Sequence, residues 1–334
     1  MRLLALILLI LLVQVGCAPV FHPPSEKQQA AQLRPKVFVT EDGASLPLRQ
    51  WLPKQEVRAI LVALHGFNDY SQFFTEPANY LSAQGIACFA YDQRGFGAGT
   101  KRGSWAGTQA YTQDLFSLIG LLKQRYPHKP VYVLGESMGG AVVIAAMSQS
   151  PKLPVDGIIL SAPAVWARAT MPWYQTTLLW TLAHSMPWLT LTGEGVHVMP
   201  SDNIEMLRAL GRDPWIIKAT RVEAIYGLTD LMDVAFNNAP ALDTKTLLLY
   251  GEKDEIIPKK PTQLFVNQLR GTNKTVAVYE QGYHMLLRDL HAATAWHDIA
   301  NWINDKQTKL PSGADNRAKQ WLLSSDDAQE AALD

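Results

Sequence analysis

The stretch Val131-Tyr132-Val133-Leu134-Gly135-Glu136-Ser137-Met138-Gly139-Gly140-Ala141-Val142-Val143-Ile144 constrains this chain more than any other. Its opening run is apolar and carries β-branched residues, which predicts a buried strand. The small and apolar residues from Met138 onward predict a buried helix. Between the two, Ser137 stands at the apex of Gly135-Glu136-Ser137-Met138-Gly139. Strand, sharp turn and helix, with Ser between two glycines, is the context of a nucleophile elbow. Such a turn strains the Ser backbone and lifts its Oγ clear of the sheet. Strand and helix then pack too closely for side chains at Gly135 and Gly139.

An elbow needs a sheet, and the chain supplies one. Ile60–Leu64, Ile86–Tyr91, Gly157–Leu160, Thr246–Tyr250 and Thr275–Tyr279 are short apolar runs that predict buried strands. Helical patterns separate several of them, including Thr108–Tyr126, which Pro127 stops, and another at 292–304 follows the last. Alternation of this kind predicts an α/β fold: a mostly parallel central sheet with helices on both faces. Val37–Thr40 and Leu46–Trp51 flank a turn at Glu41-Asp42-Gly43 and predict a hairpin ahead of it.

The alternation breaks between residues 165 and 240, where no strand pattern is visible. Five of the ten tryptophans lie there (Trp166, Trp173, Trp180, Trp188 and Trp215), with several methionines. This predicts a helical cap inserted above the sheet, with apolar surface suited to an apolar substrate groove or a membrane-facing side. The expected division is a signal peptide at 1–16, a tether at 17–35, a core of 36–164 and 241–305, the cap at 165–240, and a polar, mobile tail at 306–334 with one docked turn near Trp321.

Acidic and basic side chains number 30 each in 334 residues, so electrostatics give no case for nucleic acid. No metal cluster or phosphate loop is visible, and no cofactor is expected. Cys88 lies in a predicted strand and reads as an apolar filler. Cys17 differs. It follows Arg2, an aliphatic run from Leu3 to Val13, and Gly16, the layout of a secretory signal. The run is shorter than the roughly 20 apolar residues of a spanning helix.

Ser137, Asp254 and His284 each follow an apolar strand, in the order nucleophile, acid, base. The hydroxyl needs a base to remove its proton, the imidazole has the pKa to do so, and a buried carboxylate fixes the imidazole tautomer. Glu252 and Glu255 compete with Asp254 in the same loop. Backbone N–H groups of Met138, at a helix N-terminus, and of Phe67, after the Ile60–Leu64 strand, are the candidate oxyanion donors. His65, Asp92 and Arg94 read as loop braces, and Lys101 and Arg102 as solvated surface or a contact for a lipid head group.

His65-Gly66-Phe67, Asp92-Gln93-Arg94-Gly95-Phe96-Gly97, Gly135-Glu136-Ser137-Met138-Gly139-Gly140, Gly251-Glu252-Lys253-Asp254 and Gly282-Tyr283-His284 together resemble the monoacylglycerol lipase and lysophospholipase branch of the α/β-hydrolases, of the S33 serine aminopeptidase type. The resemblance runs from about residue 36 to 304. Its Gly-x-x-Asp pattern favours Asp254 as the acid. It implies a serine carboxylester hydrolase acting on a monoacylglycerol or lysophospholipid, a single-chain lipid ester, through an acyl-enzyme. Related peptidases and small-ester esterases share these motifs. A proline-releasing aminopeptidase would need an acidic anchor in the cap, such as Glu194, Glu205 or Glu223. A non-catalytic envelope scaffold is the reading from another class. Gly16-Cys17 resembles a bacterial lipoprotein signal, departing from it at Gln14, where Leu is usual. That resemblance implies acylation of Cys17 and a lipid-anchored protein of the cell envelope; an ordinary signal peptide or an uncleaved anchor is the alternative.

Overall fold

The computed structural model describes residues 19, 21–149, 155–193, 195, 198–270, 273–304 and 309–324. Its elements in chain order are β1 (Gln32–Leu33), β2 (Val37–Val39), β3 (Ser45–Trp51), β4 (Ala59–Leu64), α1 (Thr75–Ala83), β5 (Ile86–Tyr91), α2 (Thr108–Arg125), β6 (Val131–Glu136), α3 (Met138–Gln149) and β7 (Gly157–Ser161). Then come α4 (Trp173–Ser185), β8 (Thr190–Thr192), α5 (Ile204–Arg212), β9 (Ala219–Arg221), α6 (Val222–Asn237), β10 (Thr246–Gly251), α7 (Lys259–Gln268), β11 (Lys274–Tyr279), α8 (Ala292–Asn304) and α9 (Ala314–Leu323).

Nine strands form one sheet in the order β1-β2-β3-β5-β4-β6-β7-β10-β11. From β5 to β11 neighbours are parallel; β1, β2 and β3 add an antiparallel edge. The mostly parallel α/β sheet read from the sequence is therefore present. Strand periodicity divides its core. Ile60, Val62 and Leu64 of β4 face a core shared with α2, α3, α6 and α7, while Ala59, Leu61 and Ala63 face one shared with α1 and α8. Every residue of β4, β5, β6 and β10 is buried, which is why these strands read as unbroken apolar runs.

The insertion has helices α4, α5 and α6, but also a short β8–β9 pair that the sequence pattern does not anticipate. Three-residue strands leave no periodic signal to read. Helix α6 is not a loose cap element. Leu231 and Ala235 are fully buried in the α3 side of the core, and a Cβ on Gly227 would lie 2.3 Å from the Trp105 ring.

Both ends differ from the expected tether and tail. Phe21 packs on the core, the His22 N–H donates to Trp105 O at 2.8 Å, and Gln32–Leu33 pairs with β2. At the other end α9, a ten-residue helix rather than one docked turn, lays Trp321 against Tyr250 at 5.1 Å between centroids. Gln263 Nε2 donates to Trp321 O at 2.6 Å and fixes it there. Short apolar contacts inside polar sequence anchor both segments.

Candidate active site

Parallel strands end at a common edge, and β4, β6, β10 and β11 deliver their following loops to it. Between β6 and α3, Ser137 has φ +53°. That left-handed conformation is strained for a residue with a Cβ. The turn is held from both sides: the Ser137 N–H donates to Ser161 O, and the Ala164 N–H donates to Ser137 O, each at 2.9 Å. A Cβ on Gly135 would lie 2.4 Å from Gly139, and one on Gly139 would lie 2.3 Å from Leu64 O. Neither position accepts a side chain. The Gly66 loop lies against the nucleophile, since a Cβ there would be 3.4 Å from Ser137 Cβ.

Asp254 sits in the turn after β10. Its Oδ1 accepts from the Ile256 N–H at 2.8 Å and the Ile257 N–H at 3.0 Å, leaving Oδ2 for His284 Nδ1 at 2.9 Å. Of the three acids in this loop, Asp254 alone is buried; Glu252 is exposed, and Glu255 accepts from the Met199 N–H. His284 follows β11 in a loop whose Gly282 packs on Gly251. Burial opposes a charge on His284. Asp254, by charge and hydrogen bond, outweighs it with help from Glu136, and the imidazole is held above its ordinary pKa.

Ser137, His284 and Phe67 line one cavity of about 350 Å³. Its walls include Trp166, Leu228, Met232, Ile256 and Met285, with Asp69, Glu136 and Arg288 as its charged members. Met138 opens α3, so its N–H is among those the helix leaves without an intrahelical acceptor. Phe67 is fixed by edge contacts of its ring with Phe96 and Trp105.

The brace residues have full sets of partners. His65 Nε2 accepts from the Gln93 N–H at 2.9 Å, so Nδ1 carries the proton and donates to Gly66 O at 2.8 Å. Burial holds His65 below its ordinary pKa. Asp92 accepts from Ser71 and Ala98, and Arg94 is bidentate to both Asp42 and Asp114. Lys101 and Arg102 are exposed, and Arg102 reaches the cap through Ile216 O and the Trp215 ring. Cys17 lies outside the described residues.

A family model described as serine aminopeptidase, S33, matches residues 55–291. The chain belongs to this family. Its similar proteins include the monoglyceride lipase of Mus musculus, 27% identical over 83% of this chain and 92% of that one, and the monoacylglycerol lipase of Mycolicibacterium smegmatis, 27% identical over 80% and 95%. A solved structure, a soluble variant of monoglyceride lipase from Saccharomyces cerevisiae in complex with a substrate analog, superposes with a TM-score of 0.71 at 20% identity, covering 87% of this chain and all of that one. The S33 match supports the family resemblance carried by the five motifs.

Sequence reading misses one group at this S33 site. Arg288 Nη2 pairs with Asp69 Oδ2 at 2.7 Å and Glu136 Oε1 at 2.8 Å, all three side chains buried. The available signals were a Glu ending an apolar strand and an Arg after Met285-Leu286-Leu287. A buried charge needs a partner, but sequence does not say which.

Proposed function

We propose that the chain is a serine ester hydrolase of the monoacylglycerol lipase type, cleaving single-chain lipid esters. One observation carries the reading: a strained Ser137 and an Asp254-paired His284 open together on a cavity with a mainly apolar wall. Ser137 Oγ attacks the ester carbonyl while His284 takes its proton. The Phe67 and Met138 N–H groups receive the oxyanion. Collapse expels the alcohol, protonated by His284, and leaves an acyl-enzyme. Water, deprotonated by His284, then releases the fatty acid and restores Ser137. The acyl chain lies along Trp166, Leu228 and Met232, cap-side residues without charge.

The aminopeptidase reading needs a free acid facing the substrate amine. Glu205 pairs with Arg208 at the surface, and Glu223 is buried against Arg221. Glu194 lies outside the described residues. Asp69 and Glu136, the acids that do line the cavity, are engaged by Arg288. The names of the relatives, monoglyceride and monoacylglycerol lipase, support the lipid-ester reading.

The test is a panel of monoacylglycerols, lysophospholipids and short-chain esters graded by chain length, run beside proline naphthylamide. Medium- or long-chain monoesters should give the highest kcat/KM. A preference for the naphthylamide would overturn the assignment. Membrane attachment through an acylated Cys17 belongs to the same proposal and places the enzyme in the cell envelope. Outward-facing Trp173 (78% exposed) and Trp180 (56%) on helix α4, which carries no acidic, Lys or Arg side chain, suit a catalyst working beside lipid.

A further inference from the structure

Arg288 stands where three loops meet. Asp69 lies two residues after Phe67, in the loop that follows β4. Glu136 is the last residue of β6 and directly precedes Ser137. Arg288 lies four residues after His284, in the loop that follows β11. A single nitrogen, Nη2, contacts both carboxylates, at 2.7 and 2.8 Å. Relative exposures are 6% for Asp69, 2% for Glu136 and 8% for Arg288, so water contributes little to satisfying them. Among the described residues, Glu136 Oε2 and Arg288 Nε have no hydrogen-bond partner. The trio is therefore joined by this one bridged contact, with two carboxyl groups to one guanidinium.

Such a group is an expensive way to fill space, because apolar side chains of similar volume stabilise a core at least as well. What it supplies is a fixed geometry among groups that must agree within a fraction of an ångström during acyl transfer. We propose that Arg288 is a positioning residue that, through Asp69 and Glu136, holds the Phe67 loop, the Ser137 turn and the His284 loop in register. This inference rests on the serine hydrolase reading of those three loops. The charged groups acting on His284 are Asp254, Glu136 and Arg288. Glu136 raises its pKa and Arg288 lowers it. Glu136 and Arg288 thus also adjust, behind burial and Asp254, the pH at which the base becomes available.

Three variants of the full-length enzyme test the role: Arg288→Met, Arg288→Lys and Glu136→Gln, each assayed for monoacylglycerol hydrolysis across pH. Arg288→Met should lower kcat by about tenfold or more with KM changed less than about threefold. Arg288→Lys should return kcat to within about threefold of wild type, because one ammonium can bridge both carboxylates as Nη2 does. The acidic limb of kcat/KM should move to higher pH in Arg288→Met and to lower pH in Glu136→Gln. The limb reads the charges acting on His284, whereas a fall in kcat with little change in KM, rescued by Arg288→Lys, reads the positioning. Variants that fold yet keep kcat within about twofold of wild type overturn the inference. Should Arg288→Met fail to fold, the near-isosteric Glu136→Gln decides by the same criteria. Turnover by wild type keeps the reading of the site intact, so unaffected variants sink only this inference. Absent wild-type turnover sinks the reading itself.

Discussion

On the proposed mechanism, folding and catalysis ask His284 for opposite protonation states. Burial works against its charge, yet Asp254 outweighs burial and raises its pKa, so the fold prefers the charged imidazole. That contribution to stability is fully present below about pH 6.5 and is lost as pH rises through the raised value. Activity follows the other direction, since a general base must be neutral. The acidic limb of kcat/KM should therefore lie above about pH 6.5. Asp254→Asn should move that limb to lower pH and reduce kcat by a factor on the order of 10³ or more, through loss of the correct tautomer. A pH–rate profile measures both effects, and a limb that stayed in place would show that Asp254 does not act on His284. Ser137, Asp254 and His284 could be picked out in sequence as candidates because each follows an apolar strand at a glycine-marked turn. Arg288 could not, because its significance comes from partners 219 and 152 positions away, Asp69 and Glu136.

Elements, rather than single side chains, make the elbow possible. Helix α3 can approach β4 and β6 only because Gly139 and Gly135 carry no Cβ. The obstacle at Gly139 is the backbone of Leu64, which cannot rotate aside. Gly139→Ala should destabilise the protein by about 3 kcal/mol, the upper end of the range for overpacking. Gly120 offers an internal control. It lies in the exposed face of α2, and a Cβ there would meet nothing within 4 Å. Gly120→Ala should stabilise by about 0.5–1 kcal/mol, because Gly is the weaker helix former. Denaturant unfolding of the two variants measures the contrast, and an equal response would mean that the elbow is not tightly packed. Sheet strands were readable because burial on both faces leaves unbroken apolar runs. The β8–β9 pair was not, since all of β8 is exposed and its three residues show no pattern. Helix α9 was missed for a related reason: besides Trp321 it is docked by two alanines, Ala314 and Ala318, and by Arg317, whose Nε donates to Val278 O, so its composition reads as tail.

At the scale of the whole molecule, a hydrolytic core carries a cap whose outer face is rich in Trp and Leu. Trp173, Tyr174, Leu178 and Trp180 are all exposed on α4. No helix among the described residues is long and apolar enough to cross a membrane. If Cys17 is the anchor, Cys17→Ser should shift the protein from the membrane to the soluble fraction and abolish palmitate incorporation. A variant that stayed membrane-bound would refute acylation there. Fold and family were open to sequence reading because they depend on local patterns at strand ends. The apolar wall of the cavity was not, because Trp166, Leu228 and Met232 come together with Ser137 only in the folded chain. The most direct measurement is labelling with a fluorophosphonate probe followed by peptide mapping, beside hydrolysis of a monoacylglycerol by wild type and Ser137→Ala. The predicted result is one label on Ser137, with both labelling and turnover lost in the folded variant. Ester hydrolysis that survives in Ser137→Ala, or a label on another residue, would contradict it.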